Sequence, residues 1–216
     1  MRKILMFVFV LILCNLTLFA QTEKGPRIVH ITEKSAIHVP PQEAPAGLKK
    51  IYSNLGKSKT DLYNDINGWI VSGPNAAGTE FIALPFTPKS NSHVSQVQVA
   101  VQWNGWGANQ VNLSIYGDSG GLPGTLLAGP VTVTNLPDAG TCCLLAVASF
   151  TPVAVTAGTQ YWVVADTPLT GTGSDFYDVW DLTVKRVIPM ALSYGSSWYG
   201  FNADELVAGA VLGTIP

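Results

Sequence analysis

The 216-residue chain reads as all-β, a single antiparallel β-sandwich of jelly-roll-like type behind a signal peptide and an extended leader. Three observations predict it. Apolar residues recur with period two in run after run, Gly and Pro punctuate those runs, and no segment beyond the N-terminus sustains a helical period.

The elements follow in chain order. Residues 1–20, MRKILMFVFVLILCNLTLFA, join two basic residues to an apolar stretch and a small residue, Ala20, as a secretory signal does. The apolar run Ile4–Leu13 is shorter than the roughly 20 residues a membrane span needs, so cleavage and a secreted or envelope-associated protein are expected. Cys14 offers lipidation as the alternative fate. Residues 21–49 carry four prolines and no sustained period, the pattern of a leader or linker, with a short strand at Arg27–Thr32.

The sandwich is expected over residues 50–216. VSQVQVAVQW puts Val97, Val99, Val101 and Trp103 on a core face, with Gln96, Gln98, Ala100 and Gln102 opposite. QVNLSIY alternates likewise through Val111, Leu113 and Ile115, and NGWGAN between the two suits a hairpin loop. NGWIVSG, TEFIALPFT, GTLLAGPVTVTNL, CCLLAVASF, QYWVVADT, VWDLTVKRV, MALSYGSSWYGF and LVAGAVLG complete a set of about ten strands.

Charge narrows the partners. Without residues 1–20 the chain holds 10 basic and 14 acidic residues, and beyond Thr60 only Lys89, Lys185 and Arg186 oppose eleven acids. Nucleic acid is therefore not an expected partner, because phosphate binding needs clustered Lys and Arg. Charged residues are only 12% of the chain, so its surface depends on hydroxyls and amides.

GDSGG at residues 117–121 matches the nucleophile loop of chymotrypsin-like proteases. A catalytic serine needs a base and a group that orients the base. His30, His38 and His93 stand in no such setting and match no compact metal spacing, so they read as solvated. The turn reading explains more: Asp118 and Ser119 cap a turn, and Gly120 and Gly121 give the backbone its freedom. No catalytic residue is expected.

YGDSGGLPGTLLAGPVTV, followed by FTPVAVTAGTQYWVVAD, resembles the bacterial exported domains called choice-of-anchor (R type) and similar jelly-roll-like modules. The likeness covers roughly Asn67 to Thr167 and rests mainly on turn chemistry. It implies an extracellular β-sandwich of unestablished function, often tethered to the cell envelope, and brings no catalytic residues. ADELVAGAVLGTIP holds no long apolar anchor and no basic tail, so the expected tether is the signal region or a partner, with no transmembrane segment in the mature chain.

Cys142 and Cys143 are the only cysteines after residue 20. Neighbouring Cα atoms are about 3.8 Å apart, below the usual disulfide span, so a bond between them must turn the chain. LPDAGT before them makes a turn plausible, and export favours a bridge. A vicinal disulfide and two free thiols both stand, with intermolecular bridging behind them.

Asp175, Asp178 and Asp181 in SDFYDVWD are the densest acids. They read as solvated strand-edge charges. Ca²⁺ is the alternative, needing a loop to converge them; otherwise no cofactor is expected.

The six tryptophans are the most suggestive feature. Trp103 falls in core phase, and Trp162 is ambiguous. Trp106 beside Asn104, and Trp198 with Tyr199, are the candidates for exposure and ligand binding. The expected function is a non-catalytic exported module binding a glycan or cell-surface component. A structural envelope, matrix or filament subunit that self-assembles through strand edges is the alternative, and an exported hydrolase rests only on GDSGG and the Asp group.

Overall fold

The computed structural model describes residues 27–30, 43, 45–171, 174–183, 188–203 and 206–216. The expected signal peptide with Cys14, and most of the leader with His38, lie outside the described residues.

Fourteen strands and no helix make up the described residues. Among the described residues no helix is thus long and apolar enough to cross a membrane. In order they are β1 (Ile28–His30), β2 (Lys49–Ser53), β3 (Asn64–Ser72), β4 (Phe81–Phe86), β5 (Ser92–Val99), β6 (Val101–Trp106) and β7 (Gln110–Asp118), then β8 (Pro123–Thr134), β9 (Ala146–Val155), β10 (Tyr161–Asp166), β11 (Tyr177–Leu182), β12 (Ile188–Ser193), β13 (Trp198–Ala203) and β14 (Gly209–Thr214).

One layer of the sandwich is the six-stranded sheet β13-β12-β4-β10-β7-β8. The other combines β1-β3-β11-β6 with β2-β14-β5-β9. Every strand pairing is antiparallel.

The two halves of the second layer meet at a seam. β5 and β6 are one run that changes partner at Ala100, from β14 to β11. Ala100 N–H donates to Ala208 O (3.1 Å), Asp181 N–H to Ala100 O (2.9 Å) and Ala208 N–H to Asp181 O (2.8 Å). The Trp180 indole N–H also donates to Ala208 O at 2.9 Å. Asn54 fastens the same place from above, its side chain donating to Val207 O and accepting from Gly209 N–H, each at 2.8 Å.

Alternation fills the interior as its period demands. Val97, Val99 and Val101 face Val111, Leu113 and Ile115 of the opposite layer across the main core, which also takes in Ile82, Leu84, Phe86, Trp180 and Met190. Burying a Trp180-sized ring of about 200 Å² contributes about 5 kcal/mol. Trp103 packs partly buried against this core, in the expected phase.

The outward faces differ from expectation. Gln96, Gln98 and Gln102, expected on a solvated face, are buried. Chain segments lying over the second layer cover Gln102. Its Nε2 donates to Thr141 O (2.5 Å) and Tyr63 Oη (3.2 Å), and its Oε1 accepts Gly140 N–H at 2.7 Å. Leu62, Tyr63, Cys142 and Cys143 form a second apolar cluster there with Ala100 and Ala208. Gln96 and Gln98 bond each other instead, at 3.1 Å.

MALSYGSSWYGF, expected as one strand, is the hairpin β12–β13, because Gly195 takes φ +94°. β1 pairs with β3, and Arg27 just before it forms a 2.8 Å ion pair with buried Glu80.

Candidate functional site

The GDSGG segment is the turn between β7 and β8. Asp118 Oδ2 accepts Gly121 N–H at 3.0 Å, and Ser119 N–H donates to Leu122 O at 2.8 Å. Asp118 Oδ1 takes the indole N–H of buried Trp162 (2.8 Å) and the Gln160 amide (2.7 Å). Burial pushes the Asp118 carboxyl up, but these three hydrogen bonds outweigh it and hold the group below its ordinary value. Among the described side chains no imidazole bonds Ser119; His93 sits in β5, paired with Ala154 and Thr214 in the other layer.

Trp162 belongs to the outer face of the six-stranded sheet. There Trp162, Ala83, Val164 and Ala191 form a buried patch, with Tyr116, Leu122 and Trp198 packed against it. Trp198, expected as an exposed binder, is therefore only partly open, because its ring lies against this patch. Tyr199 turns to the opposite side of β13, alongside Leu192, and stays 51% exposed because β13 is the edge of its sheet.

At the hairpin tip Tyr199 meets Tyr194, which is 39% exposed, with ring centroids 6.3 Å apart and planes tilted by 46°. Gly195 shapes this tip. A Cβ on it would lie 2.9 Å from Thr79 Cγ2 and 3.1 Å from Leu169 Cδ2, so only glycine lets those loops pack so closely. Leu169, 48% exposed, thereby extends the apolar surface beside the tyrosines. Sequence reasoning missed Leu169, whose loop placement no periodicity signals.

Trp106 is 50% exposed at the end of β6, opposite Tyr177 of β11, and its carbonyl accepts the Trp103 indole N–H at 3.0 Å. Asn104, half-buried, precedes it. Trp106 and the Trp198–Tyr199 hairpin thus occupy different layers and do not build one site by adjacency in a sheet.

The acidic group requires a correction. Asp178 and Asp181 are not solvated edge charges; both are buried. Asp178 shares the inner face with Trp180, and Asp181 turns to the outer face, as period two requires. Asp175 lies apart, its carbonyl close against Gly107. The three do not converge, and no group of three or more His, Cys, Asp or Glu that could hold a metal occurs among the described residues. Burial drives the Asp178 carboxyl well above its ordinary value; burial, then the charge of Asp65, does the same to Asp181.

Cys142 and Cys143 are joined as a vicinal disulfide in the β8–β9 connection, not in a strand, and both are buried. Tyr63 Oη lies 3.0 Å from Thr141 O and 2.8 Å from Leu144 O, gripping the connection on either side of the bridge.

One more surface lies at the open side of the sandwich. β8 and β9 are the edges of the two layers on the same side of the sandwich, and between them runs a groove of about 430 Å³. Leu127, Ala128, Val131, Phe150, Pro152 and Val153 line it. Neither Pro123–Thr134 nor Ala146–Val155 contains a charged residue.

Comparison with known protein families, with characterised proteins and with solved structures finds no match. The fold and its surfaces define a class, an antiparallel β-sandwich module with exposed aromatic residues on its rim and an uncharged open edge.

Proposed function

We propose that this protein is a non-catalytic exported module that binds a glycan or another cell-surface component through exposed aromatic rings. The observation that carries this reading is the Tyr194–Tyr199 pair, two exposed rings 6.3 Å apart on a hairpin tip. A tilted aromatic pair offers an apolar platform to a sugar face, while a low-charge surface avoids the desolvation cost of buried ions. Trp106, with Asn104 beside it, forms a second and separate platform. The GDSGG carboxylate supports the non-catalytic reading, since its three donors hold it in the turn. The test is glycan-array or cell-wall pull-down binding of wild type, Tyr194→Ala/Tyr199→Ala and Trp106→Ala. Loss in the tyrosine variant with its fold intact supports the hairpin; undiminished binding in both variants rejects the aromatic reading.

A second reading, a structural subunit joined through strand edges, draws on β8. This 12-residue strand is exposed along most of its length and carries no charge. Natural edge strands are commonly guarded by charge, and this one has Pro130 and register shifts instead. Sizing of wild type and Leu127→Lys distinguishes the two: an oligomer that dissociates in the variant favours assembly, and a monomer in both rejects it.

A further inference from the structure

β1 is a three-residue strand at the edge of its sheet, and among the described strands it pairs with β3 alone. Its ladder is short: Ile28, Val29 and His30 stand opposite Trp69, Gly68 and Asn67, and Ile70 N–H donates to Arg27 O at 3.2 Å. A ladder of this length is marginal in water by itself. Arg27 supplies the rest of the hold. Its main-chain N–H donates to Glu80 Oε1 at 3.0 Å, its Nε–H to Glu80 Oε2 at 2.8 Å and its Nη1–H to Ala77 O at 2.9 Å. Glu80 is buried, and its main chain is fixed by bonds in both directions with Ser72 of β3, each 2.9 Å. A buried carboxylate deprived of its cation is a costly state. This edge therefore selects its occupant by chemistry. It takes an extended segment led by arginine, whose fork reaches carboxylate and carbonyl together as the compact ammonium of lysine does not.

Nothing in that selection requires the segment to belong to the same chain. Residues 31–48 join β1 to β2 and at full extension would span about 60 Å, about twice the diameter of a small domain. Exchange of β1 between two copies rebuilds every bond just named, so only the entropy of association opposes it. We propose that Glu80 and the β3 edge form a socket for an arginine-led strand, and that Arg27–His30 of a second copy fills it when the protein assembles. This is strand addition with charge complementarity as its selector. It concerns a different edge from β8 and holds whether or not β8 edges associate.

The experiment has two arms. In the first, fluorescence anisotropy follows a labelled peptide of residues 25–32, GPRIVHIT, added to the purified Arg27→Ala protein, whose own strand no longer brings a guanidinium to Glu80. Saturable binding is expected, and the same peptide carrying Arg27→Ala or Arg27→Lys binds at least about 10-fold more weakly. In the second, wild type is refolded from urea without reductant at low and at high protein concentration and then sized. The expected result is a dimer that grows with protein concentration and that excess GPRIVHIT suppresses. Leu127→Lys leaves this dimer intact, which separates it from a junction through β8. The second arm decides should Arg27→Ala fail to fold. Equal binding of the arginine and alanine peptides overturns the proposal, and so does a wild type that stays monomeric after concentrated refolding. A dimer that Leu127→Lys dissolves, or that the peptide leaves untouched, overturns it too.

Discussion

Trp162 Nε1–H donates to Asp118 Oδ1 at 2.8 Å, so the acid of a protease-like pentapeptide is the anchor of a buried indole. Asp118→Ala removes that bond and those from Gln160 and Gly121, leaving the indole N–H without its acceptor. The expected loss is about 1–3 kcal/mol, read as a lower midpoint in urea. Ser119→Ala, which keeps the Ser119 N–H bond to Leu122, changes stability by less than about 0.5 kcal/mol.

Gln102 is the polar centre of the covered outer face, with three bonds to groups far away in sequence. Gln102→Leu conserves bulk, strands Gly140 N–H and leaves Thr141 O with Tyr63 Oη as its remaining donor. We expect a cost of about 2–3 kcal/mol in thermal or urea unfolding, with the secondary-structure signal of the native state unchanged.

Burial raises the Asp166 carboxyl from 3.8 to about 6, a hydrogen bond from Asn112 opposing the shift. A raised folded-state value means that the folded protein binds this proton more tightly than the unfolded chain does. The Asp166 contribution is therefore fully present below about pH 4 and is lost as pH rises through 6. Asp178 and Asp181 shift in the same direction. Urea-unfolding stability should fall between pH 4 and 7, and Asp166→Asn should flatten that fall by about 1–3 kcal/mol.

The Cys142–Cys143 bond predicts a simple chemical outcome. Unfolded without reductant, the protein should leave the peptide bearing both cysteines unalkylated by iodoacetamide. After reduction the same peptide should take up two labels. Labelling before reduction would show free thiols.

Period two was legible wherever both the residue and its partner layer were local facts. Val97, Val99 and Val101 alternate because a strand puts successive side chains on opposite faces, and no tertiary knowledge is needed to see it. The GDSGG turn was legible for the same reason, since Asp118 and the two glycines satisfy their needs within five residues. The polar face of the same strand was not. Gln102 is buried because residues 63 and 140–141 fold across it, and alternation carries no information about what covers a face.

The amino-acid sequence by itself determined the all-β class, the strands of the core and the turn at Ser119, because backbone geometry and local hydrogen bonds settle those. The tertiary structure alone decided that Asp178 and Asp181 are buried on opposite faces, that Trp198 leans on the patch of Trp162, Ala83, Val164 and Ala191 while Tyr199 meets Tyr194, and that the cysteines are bonded beneath Tyr63. Those outcomes depend on which distant segments meet. A carboxylate or an indole has no fixed exposure until its neighbours in space are chosen.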